Sequence, residues 1–293
     1  MIPTDHFFSL RTQNGTLEKL RKPTLFKAIW ISDVHLGTSQ CHAGRLLELL
    51  QLTESESLYF TGDIAGGQEL KHQQHWEESH REVVQAIIEK ANRGTRVTLM
   101  PSSHAASLRR FFGHKLPAIQ IRDELVHVTA QGKRMLVIDG DQFVSAARGR
   151  FSARRRGAKI DMLLRKTRTA LSGWRELIGL PARPLASVRY GRPVEAVYLR
   201  SLELVLTNEA RQKGLDGVIC SHQRTPGIRN IGGILYCNDG DWTEHQSAIV
   251  EDLSGALKVI TWHDIILQDD RAALCEELST AENCADTLPS LAS

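Results

Sequence analysis

Five short segments of this chain place acids and imidazoles directly after apolar runs. Ser32-Asp33-Val34-His35 follows Leu25–Ile31, Gly62-Asp63 follows Ser57–Phe60, and Ser103-His104 follows Arg96–Met100. Asp139-Gly140-Asp141 follows Arg134–Ile138, and Ser221-His222 follows Gly217–Cys220. Carboxylates and imidazoles are the ligand set for Mn²⁺, Fe or Zn²⁺. In α/β sheets the carboxyl ends of strands are where ligands and reacting groups collect. Each signal is weak alone: Gly-Asp is usually a turn, and a histidine beside an apolar run is more often a satisfied edge residue than a ligand. Five of them in order, each at a predicted strand end, point to a metal centre.

The elements that must position these residues read as strand and helix in alternation. Leu25–Ile31, Ser57–Phe60 and Arg96–Met100 are short apolar strands, separated by helical stretches at Arg45–Leu50 and Trp76–Asn92. The second helix carries Val83, Val84, Ile87 and Ile88 on one face and stops at Arg93-Gly94, a fitting glycine terminator. This β-α-β-α-β run reads as doubly wound α/β. Leu125–Thr129 and Arg134–Ile138 flank a turn and predict a hairpin. From Gly217 onward short strands return at Gly217–Cys220, Gly227–Ile231, Ile234–Cys237, Ser247–Val250 and Leu257–Thr261, with Gly232-Gly233 and Ser254-Gly255 as hairpin signals.

Composition bounds the rest. The 293 residues are 41% hydrophobic and 24% charged, an ordinary globular mixture that excludes collagen, coiled coil and wholesale disorder. No apolar run approaches the roughly 20 residues of a membrane-spanning helix, and residues 1–27 lack a signal peptide's apolar stretch, so a cytoplasmic protein is expected. Five widely spaced cysteines with no CxxC argue against a disulfide framework or zinc knuckle. The net charge is only +3, yet Arg148–Arg200 holds fourteen Arg and Lys against Asp161, Glu176 and Glu195, a local +11. Such a field attracts phosphate-bearing partners, or is simply a solvated helical face. Phe151, Trp174 and Tyr190 are too thinly interleaved for a nucleic-acid stacking platform. An apolar stripe through Met162, Leu163, Leu164, Leu171 and Trp174 beside Arg165 and Lys166 suits an anionic membrane surface, or equally the packing of a lid onto the body.

The ordered elements resemble those of the calcineurin-like metallophosphoesterases, whose pattern is D-x-H, G-D, G-N-H-D, H-G-D and G-H-x-H. Within them the chain is similar to the bacterial UDP-2,3-diacylglucosamine diphosphatase group of lipid A synthesis. SDVHLGT at Ser32–Thr38, GDQF at Gly140–Phe143, DGVIC at Asp216–Cys220, NDGDW at Asn238–Trp242 and WHD at Trp262–Asp264 carry that likeness. It implies an α/β fold, a metallophosphoesterase-type β-sandwich flanked by helices. The expected organisation is an N-terminal extension over 1–24, a phosphoesterase domain over 25–147 and 214–266, a basic helical lid over 148–213 and a flexible tail over 267–293. It implies metal ligation by Asp33, His35, Asp63, Asp139 and His222, with His104 as the catalytic acid. Arg154, Arg155, Arg165 and Lys166 in the lid are the expected phosphate-binding side chains. Mn²⁺ or another divalent ion is the implied cofactor, as two ions, one or none. The implied partners are a phosphate-bearing small molecule or lipid-linked nucleotide and an anionic membrane surface, with the protein peripheral on the inner face.

Three of seven ligand positions depart from the pattern. Ser103 stands where the Asn should be, Asp139 where a His should be, and Arg224 where the final His should be; Ala105 replaces the Asp that orients His104. Ser103 is a weaker, shorter ligand. Asp139 is still a competent oxygen donor. Arg224 is a permanent cation with no lone pair, able to fork onto Asp33 or Asp63 in place of a metal. Two readings stay open: a phosphoester or pyrophosphate hydrolase with weakened activity, or a catalytically inactive relative that binds an anionic ligand, lipid surface or protein partner.

Overall fold

A computed structural model of the chain describes residues 23–65, 77–102, 119–143, 192–221 and 225–270. In β1 (Thr24–Ser32), Ile29 and Ile31 face one side while Ala28 and Trp30 face the other, and all four are buried. A strand buried on both faces must be covered on both faces. The same two-sided burial recurs in β2 (Thr53–Gly62), β3 (Arg96–Pro101), β6 (Arg134–Asp139) and β7 (Gly217–Ser221). The fold answers it with four layers.

One sheet has the order β11-β10-β1-β2-β3-β4, adding β4 (Ile119–Ile121), β10 (Ser247–Glu251) and β11 (Leu257–Thr261). The other has the order β5-β6-β7-β9-β8, with β5 (Glu124–Val128), β8 (Gly227–Ile231) and β9 (Ile234–Asn238). β1 to β4 run parallel, as do β6, β7 and β9. Each set therefore gathers its carboxyl ends on one rim.

Three apolar clusters are the three interfaces between the layers. Ile29, Ile31, Leu58, Phe60, Val97 and Leu99 meet α1 (Ala43–Leu52) and α2 (Glu78–Asn92). Trp30, Tyr59 and Met100 meet Met135, Val137, Ile219 and Cys237 between the sheets. Leu136, Ile138, Val218 and Tyr236 meet Leu202, Val205, Leu206 and Ala210 of α3 (Arg192–Gln212). Apart from Phe26 at the start of β1, the split follows odd and even position, the period of two that a pleated backbone imposes. On α2, Val83, Ile87, Lys90 and Ala91 share the buried stripe. Lys90 is tolerated there because its ammonium donates to Thr53 O at 2.6 Å and meets Glu54 at 3.1 Å. Gly94 ends the helix at φ 106°, as expected of a left-handed terminator.

The expected sandwich flanked by helices is what forms. Two readings are corrected. The first half is not doubly wound, because α1 and α2 cover the same face of their sheet, and Trp30, Tyr59 and Met100 commit the other face to the second sheet. The stretch 148–213 is not lid throughout: α3 carries Leu202, Leu206 and Ala210 at 0% exposure into the core of the body. Residues 1–22 of the expected 1–24 extension, 148–191 of the expected 148–213 lid and 271–293 of the expected 267–293 tail lie outside the described residues. Among the described residues no helix is long and apolar enough to cross a membrane.

Trp30 is fully buried between the sheets and stacks on Tyr59, ring centroids 5.2 Å apart. Trp30→Ala should therefore lower the unfolding free energy by about 3–5 kcal/mol, seen as a lower guanidinium midpoint at unchanged slope. Val126→Ala, at a side chain 44% exposed, should change it by less than about 0.5 kcal/mol.

Candidate metal centre

Two residues beyond each apolar side chain in the inter-sheet layer comes a polar one. Trp30 is followed by Ser32, Tyr59 by Thr61, Val137 by Asp139, Ile219 by Ser221 and Cys237 by Asp239, all buried. Register holds them level, since Ser32 pairs with Thr61 and Asp139 with Ser221. The apolar layer thus ends in a polar rim at the carboxyl ends of both sheets.

Asp239 anchors this rim from beneath. Its Oδ1 lies 2.9 Å from Ser32 Oγ, its Oδ2 accepts from Thr61 Oγ1 at 3.3 Å, and its carbonyl accepts from Ser247 Oγ at 2.7 Å. Burial pushes its carboxyl well above the usual carboxylate range, against the pull of Ser32. Sequence reasoning quoted Asp239 within NDGDW but gave it no role. The signal that finds it is the step of two beyond Cys237.

Above Asp239 sit the expected ligands. Asp33 and His35 have φ of 48° and 52°, left-handed backbone that costs a non-glycine residue of order 1–3 kcal/mol. The strain is held by the loops after β1 and β2 pairing with each other: Asp33 N donates to Thr61 O, His35 N to Asp63 O at 2.9 Å, and Leu36 N to Ile64 O at 2.9 Å. Asp33 Oδ1 accepts from Asp63 N at 2.9 Å, and Ser102 Oγ donates to Asp63 Oδ1 at 3.1 Å. From the second sheet, Asp139 Oδ1 accepts from Ser221 Oγ at 3.2 Å and Asp141 N at 3.2 Å. Gly62, at φ 73°, lets the two sheets close: a Cβ there would lie 3.2 Å from Asp33 Cγ and 3.3 Å from Ser221 Oγ.

The charges are therefore crowded. Burial first, then the Asp141 and Asp63 carboxylates, push Asp33 up to about 6, against the Asp63 amide and His35. Burial, Asp141 and Asp33 push Asp139 up to about 6, against the Asp141 amide and Ser221. Asp139 Oδ2 is buried without a partner among the described residues. An orphaned carboxylate oxygen among like charges is what a divalent cation would satisfy, and oxygen donors with one imidazole suit a hard to intermediate ion. The donor chemistry fits. The spacing is open, since no three of Asp33, His35, Asp63 and Asp139 bring one ligand atom each within 4.8 Å of one another. Among the described residues that closeness belongs to Asp241, Glu244 and His245, where Asp241 Oδ1 accepts the amides of Glu244 and His245 at 2.9 Å and so caps a turn.

Of the other expected site residues, Ser103, His104, His222 and Arg224 lie outside the described residues, as do Arg154, Arg155, Arg165 and Lys166.

No family model matches the chain, and no curated protein matches it. Solved structures do. An archaeal phosphodiesterase matches at 10% identity and a TM-score of 0.41, over 80% of this chain and 98% of that one. A Vps29 mutant from Entamoeba histolytica matches at 10% identity and 0.36, over 80% and 97%. A predicted phosphoesterase from Streptococcus pneumoniae matches at 12% identity and 0.35, over 80% and 89%. Likeness at these scores decides nothing about the rim, whose chemistry rests on its own geometry.

Two outcomes follow from that geometry. Gly62→Ala should destabilise the fold by about 1–3 kcal/mol, because the added carbon is strained at positive φ and displaces Asp33; denaturant unfolding measures it. The pH response of metal-free protein has a defined sign. Asp33 and Asp139 hold protons to about pH 6 when folded and to near 3.8 when unfolded. Between those values the folded state binds more protons, so their contribution to stability is present at the acid end and lost as pH rises to about 6. Asp139→Asn should flatten the fall in unfolding free energy across that window, with Asp33, Asp63, Asp141 and His35 the other titratable side chains near it among the described residues.

Proposed function

We propose that the chain is a divalent-metal-dependent phosphoester or pyrophosphate hydrolase of the UDP-2,3-diacylglucosamine diphosphatase-like type, with weakened activity. The observation that supports this reading is that Asp33 of the first sheet and Asp139 of the second lie within electrostatic reach of each other, with Asp63 beside Asp33 and one buried Asp139 oxygen without a partner among the described residues. Asp33, His35, Asp63 and Asp139 would hold the ion, Mn²⁺ by the resemblance, together with His222. A bound ion of this kind supplies polarisation of a phosphoryl oxygen and a more acidic water.

The chain's own side chains do the positioning. The Asp63 amide fixes Asp33, Ser102 orients Asp63, and Ser221 with the Asp141 amide orients Asp139. His104 would protonate the leaving oxygen, without the carboxylate that Ala105 removes, which lowers its efficiency as an acid. The basic segment, with Arg154, Arg155, Arg165 and Lys166, would take the phosphates of a lipid-linked nucleotide and rest against an anionic inner-membrane face.

The open spacing of the ligand atoms favours one other reading, a catalytically inactive relative in which the Arg224 guanidinium answers the carboxylates and an anionic ligand or partner occupies the rim. Elemental analysis of the purified protein, followed by Mn²⁺-dependent hydrolysis of bis(4-nitrophenyl) phosphate and of UDP-2,3-diacylglucosamine, separates the two. The hydrolase reading expects bound metal and turnover. It expects Ser221→Ala to lose roughly 10–100-fold through a disoriented ligand, and Asp63→Asn at least as much. Metal-free, inert protein that gains metal on combining Ser103→Asn, Ala105→Asp, Asp139→His and Arg224→His would establish the inactive relative instead.

A further inference from the structure

The two sheets part along one side. The first sheet ends in β4 and the second in β5, and only Arg122 and Asp123 join these strands in sequence. Between them opens a cleft of about 580 Å³, within the roughly 300–1,000 Å³ of small-molecule sites. Tyr59, Arg96, Thr98, Gln120, Arg122 and His127 furnish its polar lining. Tyr59 lies four residues along β2 from Asp63, ~13 Å at the rise of an extended strand, so the cleft is separate from the carboxylate rim.

A hydrogen-bonded chain forms its floor. Glu251, 1% exposed, meets His127 Nε2 at 2.7 Å and the Ala130 amide at 2.6 Å. A carboxylate only accepts, so Nε2 carries a proton toward Glu251, and His127 Nδ1 meets the Tyr59 hydroxyl at 3.0 Å. Tyr59 is bonded in turn to Ser57, whose hydroxyl accepts from Arg96 Nε at 3.3 Å and Nη2 at 3.1 Å. Trp30 walls the chain from behind, stacked on Tyr59 and edge-on to His127 at 4.9 Å. The chain thus links the Arg96 guanidinium in the cleft to the buried Glu251 carboxylate.

This arrangement fixes Arg96 and leaves its Nη1 unused among the described residues. Arg122, exposed in the turn between β4 and β5, donates its backbone amide to Leu99 O at 3.0 Å, and its guanidinium makes no hydrogen bond or ion pair among the described residues. The acid in the lining, Glu124, is already neutralised by Lys213 at 2.6 Å. Two guanidiniums therefore face a polar cleft with no free carboxylate to answer them, and guanidinium matches the geometry of a phosphate. We propose that this cleft binds a small phosphate monoester through the Arg96 and Arg122 guanidiniums, with its polar body against Thr98 and Gln120. The site is independent of the metal rim and of any hydrolysis there.

Calorimetric titration of the full chain in chelator, with adenosine monophosphate and with inorganic phosphate, tests it. Saturable binding with a Kd below about 1 mM is expected, with inorganic phosphate binding more weakly than the ester. Arg122→Ala, which removes no internal bond, and Arg96→Ala should each weaken it by about tenfold or more. Asp63→Asn should leave it unchanged whether or not the rim hydrolyses anything. No saturable binding overturns the proposal, as does binding that survives both arginine substitutions or is lost on Asp63→Asn.

Discussion

The four-layer arrangement imposes one constraint on everything else: the central strands are buried on both faces and alternate between them. Trp30, Tyr59, Val137, Ile219 and Cys237 belong to the inter-sheet layer because Ile29, Phe60, Ile138, Val218 and Tyr236 are claimed by the helices. The next inward position on each strand, Ser32, Thr61, Asp139, Ser221 or Asp239, then lies on the same face, one step toward the rim. A slip of one residue in β6 would turn Asp139 toward α3 and Ile138 into the rim. The packing of the sandwich and the composition of the rim are therefore one fact.

The buried carboxylates of this rim are not equivalent. Asp239 is fully served, with Ser32 and Thr61 on its two oxygens, and behaves as a structural acid. Asp139 is half-served: Ser221 and the Asp141 amide share one oxygen and the other has no partner among the described residues. Asp33 has one amide and a backbone forced into the left-handed region. Unsatisfied buried acid and stored backbone strain are the two marks by which a working site departs from a structural one. Both fall on the residues that the strand-end pattern selects.

Much of this was legible in the sequence, for a physical reason. Long apolar runs such as Leu25–Ile31 and Arg134–Ile138 are strands whichever layer they face, and the turns at Gly94 and Gly132 require positive φ that the structure supplies at 106° and 80°. β4 was missed because Ile119–Ile121 is three residues long and shows no period. The doubly wound reading failed because local periodicity shows that a strand has two buried faces but not what covers each. The roles of Asp239 and Ser221 needed register, which only pairing provides. The chain from Arg96 through Ser57, Tyr59 and His127 to Glu251 joins residues up to 155 positions apart, and no spacing rule connects them.

The identity of residue 139 changes what the rim demands. A neutral histidine there would donate a lone pair and add no charge; the buried Asp139 carboxylate adds an anion facing half-buried Asp33, and Asp141 stands close behind. In a poorly solvated layer such repulsion is relieved by protonation or by a cation, and the upward push on Asp33 and Asp139, from burial first and neighbouring carboxylates second, favours the first. The second has two candidate sources of different consequence. A divalent ion brings open coordination positions and so brings chemistry. The guanidinium of Arg224, three residues beyond Ser221, would bring the same sign of charge and none of the coordination. Asp139 raises the demand for positive charge, and Arg224 would offer a way to meet it without metal. Whether this scaffold hydrolyses or only binds turns on which of those two charges sits among the carboxylates.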